Sequence, residues 1–78
     1  MRWSYRSKYG VVSIVRMRDG LFHIVFDDES LGGYSNPALA LDDAVMGCTY
    51  TPSNGIDLDR FGLPDDLSEW HYQPPRRL

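Results

Sequence analysis

The sequence predicts an α+β, two-layer fold in which a three- to four-stranded antiparallel meander carries one helix on one face, followed by a long irregular C-terminal segment. Three observations support this prediction. Residues 3–9 alternate between two kinds of side chain with the period of a strand, aromatic on one face and basic on the other. Asp19 and Gly20 separate two runs rich in β-branched residues, which favours a hairpin. Asn36 and Pro37 together form a typical helix start.

The strands are expected within the first 34 residues. Gly10 interrupts the first pattern, and a type I′ turn at Asp19 and Gly20 joins the second strand to the third. A polar cluster at residues 27–30 then turns the chain into a short strand at the edge of the sheet. The expected strands occupy residues 3–9, 11–18, 21–27 and 31–34.

A helix is expected at residues 37–46. The Asn36 side chain can accept a hydrogen bond from the first turn, and Pro37 loses no hydrogen bond at the first helical position. Gly47 is suited to the left-handed residue that ends a helix. The apolar residues recur on one stripe that can lie across a sheet, namely Pro37, Ala40, Leu41, Ala44 and Val45.

Regular pattern is lost after Cys48. Turn residues fill positions 51–55, and the apolar residues at positions 56, 58, 61 and 63 are expected to anchor the segment to the core. Residues 71–73 are expected to form a last edge strand that prolines end, so the domain would span residues 1–73 and residues 74–78 would be a frayed tail. The expected core is Tyr5, Ile14, Phe22, Ile24, Phe26, Tyr34, Ala40, Leu41, Ala44, Val45 and Trp70.

Composition and charge limit the classes of function. The chain has 78 residues and a formal net charge of −3, and its 42% hydrophobic content is that of a folded domain. Residues 1–18 carry five basic side chains and no acidic one, whereas residues 19–43 carry six acidic side chains and no basic one. With one cysteine, no long apolar run and a polar N-terminal segment, we expect a cytoplasmic protein without a membrane partner.

Part of the chain, from residue 22 to residue 70, resembles a group of small hypothetical bacterial proteins. The similar features are the spacing F-x-x-x-F, LG-x-Y, P-x-x-ALDD, PS-x-GID and LPDDLSEW. The resemblance implies a shared fold of a small sheet with one helix, and it brings no assigned activity or catalytic residue. Where those proteins tend to have a histidine near position 48, this chain has Cys48, which argues against a required ligand there.

Catalytic, cofactor and metal sites are not expected. His23, Cys48 and His71 are far apart in sequence and lack the paired spacing of metal ligands. Neighbouring acidic residues could act in general acid–base catalysis, and they occur at positions 27–29, 42–43 and 65–66. Their simpler explanations are a turn, the solvent face of a helix and a helix start, respectively. A two-layer domain of this size also seldom closes a cleft that excludes water. We therefore expect a protein that is not an enzyme.

Two binding functions stay open. We expect a non-enzymatic accessory protein, a monomer or weak homodimer, that binds an unidentified protein; inhibition of a host system by a phage or mobile-element protein is one form of this function. The expected partner-binding residues are Asp27, Asp28, Glu29, Asp42 and Asp43. The alternative is nucleic-acid binding by the basic, aromatic N-terminal hairpin, although the sequence pI of about 5.1 argues against it. Its expected residues are Arg2, Arg6, Lys8, Arg16 and Arg18.

Overall fold

A computed structural model describes residues 1–75, and within this range an antiparallel five-stranded sheet carries one α-helix. The order of the strands across the sheet is β4-β3-β2-β1-β5, so the expected edge strand near the C-terminus is present and pairs with β1. The predicted α+β, two-layer fold is confirmed. The elements are β1 (Arg2–Ser7), β2 (Gly10–Arg16), β3 (Phe22–Phe26), β4 (Glu29–Tyr34), α1 (Pro37–Met46) and β5 (His71–Gln73).

The turns on either side of β3 differ in geometry, and the predicted turn type is found at the second rather than at the first. Between β2 and β3, Gly20 has a φ of 81°, but Asp19 keeps a negative φ, so the predicted type I′ turn is wrong. The loop has three residues and is closed by Met17 N–H donating to the Leu21 carbonyl at 2.9 Å. The type I′ geometry occurs instead between β3 and β4, where Asp27 and Asp28 have φ values of 56° and 61°.

Strand β4 contains a bulge that decides which side chains reach the core. His23 pairs with Gly33 and Val25 pairs with Ser30, so two residues of β4 lie opposite the single residue between them on β3. The extra residue is Gly32, with a φ of 150°, and a Cβ atom there would lie 3.1 Å from the Tyr34 hydroxyl. As a result, Leu31 is fully buried, while Ser30 and Gly33 lie on the opposite face.

Helix α1 has the bounds and caps that the sequence predicts. Asn36 Oδ1 accepts a hydrogen bond from Leu39 N–H at 2.9 Å, and Gly47 has the left-handed φ of 72° expected of a helix end. The buried side of the helix consists of Ala40, Leu41 and Ala44, which pack onto one face of the sheet. We refer to this face as the covered face.

The C-terminal segment completes the layer over the covered face. Leu58, Phe61 and Leu63 are buried, and two short 3₁₀ turns, Leu58–Arg60 and Leu67–Glu69, hold the segment in place. Trp70 is buried and its Nε1–H donates to the Pro64 carbonyl at 3.1 Å. Of the expected frayed tail, positions 74 and 75 are exposed, and positions 76–78 lie outside the described residues.

Most of the residues expected in the core are buried there, and the core contains others that were not expected. Four expected members, Tyr5, Phe22, Tyr34 and Val45, are only half-buried but pack against the core. The additions come from β2, from the bulged strand and from the C-terminal segment, because these residues are brought in by pairing and loop closure over long sequence separations. The buried apolar residues are Val12, Ile14, Ile24, Phe26, Leu31, Ala40, Leu41, Ala44, Leu58, Phe61, Leu63 and Trp70.

Candidate interface on the open face of the sheet

The sheet has a second face, which α1 does not cover. Because side chains alternate along a strand, the neighbours of the buried residues point to this side, and none of them belongs to the buried apolar cluster. We call it the open face. Its members are Arg2, Ser4, Arg6, Val11, Ser13, Val15, Leu21, His23, Val25, Ser30, Gly33, His71 and Gln73.

An open depression of about 450 Å³ lies at the end of this face, where its lining also includes Tyr9, Gly10, Phe26 and Asn54. Val11, which is 45% exposed, and the half-buried Val25 contribute apolar surface to it. Arg2 supplies a positive charge to its lining, and the strained turn of Asp27 and Asp28 supplies two negative charges. Apolar surface and charges of both signs are therefore combined in one concave site.

The expected acidic partner-binding residues occupy two separate places. Asp27 and Asp28 border the depression, and Glu29 beside them accepts a hydrogen bond from Ser53 N–H at 3.2 Å. Asp42 is exposed on α1, which lies on the other side of the sheet. The structure therefore brings Asp27 and Asp28 to the depression, whereas Glu29 pairs in register with Phe26 on the side of the covered face.

Asp43, the remaining acidic residue of that set, contacts a tyrosine. Burial raises the pKa of Tyr34 to about 12, and a hydrogen bond with the carboxylate of Asp43 contributes to the same shift. Asp43 itself is half-buried. Asp43 therefore lies on the side of α1 near Tyr34, whereas its neighbour Asp42 is exposed.

The basic residues expected for the nucleic-acid alternative are also divided. Arg2 and Arg6 lie on the open face, whereas Arg16 pairs in register with Phe22 on the side of the covered face. The Lys8 ammonium lies 5.3 Å from the centre of the Tyr9 ring in the first hairpin turn. Arg18 lies in the loop between β2 and β3. These side chains do not form one continuous basic surface.

The aromatic rings of β1 point away from these arginines. Trp3 lies 5.0 Å from Tyr72 between ring centres, and Tyr5 lies 5.8 Å from Trp70, all on the covered face. Because they pack against the core, they do not form the exposed stacking platform that single-stranded nucleic acid uses. Sequence alternation predicts this separation of rings and arginines correctly.

Three polar side chains of the open face form a hydrogen-bonded chain. His23 Nε2 lies 2.7 Å from Asp19 Oδ2, and His23 Nδ1 lies 2.8 Å from Ser30 Oγ. The period of two places His23 on this face, but Ser30 reaches it only because of the bulge in β4. Sequence analysis did not identify this chain, since the three residues match no sequence motif and the bulge leaves no clear sequence signal.

The remaining candidates do not form a site of their own. Cys48 is exposed and free, beside a second depression of about 400 Å³ along the outer edge of β4. Tyr50 N–H donates to the Leu31 carbonyl there at 3.1 Å, so one backbone acceptor of this edge is already paired within the chain. Among residues 1–75 no three histidine, cysteine or acidic side chains converge as a metal site would require. In the same range, every helix is too short or too polar to span a bilayer.

No protein-family model, curated protein or solved structure matches the chain. The resemblance to the small bacterial proteins stays a prediction that rests on residue spacing.

Proposed function

We propose that this protein is a non-enzymatic, cytoplasmic binding protein that docks another protein on its open face. The observation that supports the proposal is the depression, in which the apolar surface of Val11 and Val25 lies between charges of opposite sign. Exposed apolar surface rimmed by charged groups is typical of interaction sites. Inhibition of a host system is the form of this function that suits a chain of this size.

The lining of the depression specifies the chemistry of the ligand. An apolar side chain of the partner would cover the valines, while an acidic group would face Arg2 and a basic group would face Asp27 and Asp28. Charges arranged in this way raise the rate of encounter and fix the orientation of a partner more than they raise affinity. The proposed ligand is therefore a protein surface that presents an apolar residue between an acidic and a basic one.

The depression alone is too small for a stable complex. A standard interface covers about 800 Å² of each partner, which is about 15% of the 5195 Å² that this chain exposes. The interface must therefore extend along the open face, where Arg6 and Leu21 offer further charge and apolar surface. We expect hot spots at Val11 and Arg2, because they lie in the concave part that a partner would desolvate.

The proposal is tested by affinity capture from lysate with matched variants, at low and high salt and with or without nuclease. Val11→Glu is expected to abolish recovery of a specific protein, whereas Leu39→Glu is expected to retain it because Leu39 is equally exposed, at 48%, but lies on α1. Asp28→Asn is expected to weaken capture and Asp42→Asn to leave it unchanged. Asparagine keeps the left-handed backbone at position 28 accessible, so the loss of charge is isolated from the strain of the turn. Circular dichroism of each variant checks that it is folded.

Three outcomes would contradict the proposal. Equal capture by Val11→Glu and the parent chain would remove the open face from the interface. A stronger effect of Asp42→Asn than of Asp28→Asn would move the interface to α1. Capture that disappears with nuclease and is lost in a chain carrying both Arg6→Glu and Lys8→Glu would favour the nucleic-acid alternative.

A further inference from the structure

The polar chain on the open face has a defined direction of proton donation. Asp19 Oδ1 accepts a hydrogen bond from Leu21 N–H at 2.9 Å, and this bond and the contact with His23 lower the pKa of Asp19 below its ordinary value. The Asp19 carboxylate is therefore ionised at neutral pH and can only accept hydrogen bonds. It follows that His23 Nε2 carries the proton in the bond to Asp19 Oδ2.

The position of the imidazole proton on Nε2 determines whether Ser30 donates or accepts its hydrogen bond with His23. When the imidazole is neutral its second nitrogen is an acceptor, so in that state His23 Nδ1 accepts the hydrogen bond and the Ser30 hydroxyl donates it. The lone pair of His23 is thus directed at the hydroxyl proton of Ser30. A serine that donates to a histidine held by a carboxylate is the arrangement that activates the nucleophile in serine hydrolases, where the two ring nitrogens have exchanged positions.

Backbone geometry holds all three groups in place. Asp19 is fixed by its bond to Leu21 N–H in the hairpin loop, and the bulge directs Ser30 to the open face. Gly33 leaves room for the imidazole, because a Cβ atom at this position would lie 3.1 Å from His23 Cε1 and 3.3 Å from His23 Nε2. The histidine is 81% shielded by its surroundings, with 19% of its side chain exposed, while Ser30 is exposed.

We propose that Ser30 is a nucleophile that accepts an acyl group from an activated ester. Ser30 Oγ forms a bond to the acyl carbon as its proton moves to His23 Nδ1, and the bond between that carbon and the leaving oxygen breaks. The imidazolium, stabilised by Asp19, then returns the proton to the departing alkoxide, so the products are O-acyl-Ser30 and the free alcohol. His23 acts as the general base, and Asp19 is a positioning residue. The reaction is a single, stoichiometric self-acylation, which suits an exposed hydroxyl on an open surface.

The experiment is acetylation of the full chain with p-nitrophenyl acetate, followed in time by peptide mapping in a mass spectrometer. Only acetate found at Ser30 counts, because lysine and cysteine side chains also react with this ester. Ser35 and Ser53 provide an internal control, since they are exposed like Ser30 and neither hydroxyl is hydrogen-bonded to a histidine of the described residues. The expected rate at Ser30 exceeds theirs by a factor of about 10².

Two variants test whether the reactivity of Ser30 depends on His23 and Asp19. His23→Gln is expected to lower acetylation of Ser30 by a factor of about 10², and Asp19→Asn by a smaller factor because Oδ1 remains to accept from Leu21 N–H. The rate at Ser30 is measured as a function of pH in the parent chain and in both variants. The pH profile of Asp19→Asn is expected to differ from that of the parent chain, a change that a merely structural role of Asp19 would not produce.

Thermal unfolding of both variants shows whether the sheet is intact. Gly33→Ala is a further variant, since it displaces the imidazole without removing any group of the chain. It is expected to lower the rate at Ser30 while the protein remains folded. Acetylation of Ser30 at the rate of the exposed Ser35 and Ser53, or a rate unaffected by His23→Gln in a folded chain, would overturn the proposal.

Discussion

The two faces of the sheet are built from alternate residues of the same strands, yet they differ in what they bury. Ile24 on the covered face is fully buried beneath α1 and the C-terminal segment, whereas its neighbour Val25 on the open face is half-buried and lines a depression. The difference shows that strand alternation assigns residues to faces, but a distant part of the chain decides which face becomes the core.

Polar groups on the two faces also find different partners. On the covered face, Trp70 Nε1–H is satisfied by a backbone carbonyl within its own segment. On the open face, side chains bind each other, as in the pair of Ser4 and Ser13 and in the chain that contains His23. Backbone-satisfied groups stabilise the fold and have no capacity left for a ligand, whereas side chains that pair at the surface can exchange partners. The proposed binding and reactivity both use side chains of the open face.

Truncating two neighbouring residues of β3 tests the difference in burial between the two faces and is expected to have the largest effect. Ile24→Ala is expected to lower the free energy of unfolding by about 2–5 kcal/mol, and Val25→Ala by about 1 kcal/mol or less. Both changes remove a β-branched residue from the same strand, so the loss of strand propensity is matched. Urea denaturation measures the two differences. If Ile24→Ala does not fold, Ile24→Val, expected to cost about 0.5–1.5 kcal/mol, replaces it. Equal losses at the two positions would mean that a further segment covers the open face.

The fold could largely be predicted because its signals are local. Helix α1 depends on Asn36, Pro37 and Gly47 at its ends and on one apolar stripe, all within a short stretch of sequence. The turn types were harder, since Asp19 and Gly20 match a type I′ sequence but close a three-residue loop. That choice depends on the pairing of Met17 with Leu21, which no propensity encodes.

The candidate site could be predicted only in part, because it depends on long-range pairing. The alternation of β1 correctly separates Arg2 and Arg6 from the rings, and this is a local property. In contrast, the depression requires Val11 and Val25 from different strands to meet the turn at Asp27, and the bulge that exposes Ser30 arises from the register of β3 and β4. Register is a property of the assembled sheet, so a single strand does not reveal it.

A smaller effect on the free energy of unfolding is expected in the turn that borders the open face. Asp27 and Asp28 both adopt left-handed backbone, which costs energy in any residue with a side chain. Asp28→Gly is therefore expected to raise the free energy of unfolding by about 0.5–1 kcal/mol. The same substitution at Asp42, inside α1, is expected to lower it by about 0.3 kcal/mol, the difference between the helix propensities of aspartate and glycine. Thermal or urea unfolding of both variants compares them directly, and a loss of stability in Asp28→Gly would show that the Asp28 carboxylate makes a compensating contact.

The smallest expected effect concerns the pKa of Tyr34, at the edge of the covered face. It distinguishes burial from a nearby charge as the cause of the shift. The pKa of Tyr34 lies at about 12 rather than 10.0, mainly because of burial and secondarily because of Asp43. Ultraviolet titration of the five tyrosines is expected to show one late ionisation that disappears in Tyr34→Phe. In Asp43→Asn this ionisation is expected to stay above the ordinary value, since burial is the larger cause.

The raised pKa also fixes the sign of the pH dependence of stability. The folded state retains the Tyr34 proton more strongly than the unfolded state, so the contribution is fully present below about pH 10 and is lost as the pH rises from 10 to about 12. Urea unfolding of the parent chain and of Tyr34→Phe across this interval measures the contribution as the difference in their slopes. An ordinary ionisation of Tyr34 in Asp43→Asn would assign the shift to the carboxylate, and the edge of the covered face would then resemble the open face, where side chains pair with each other.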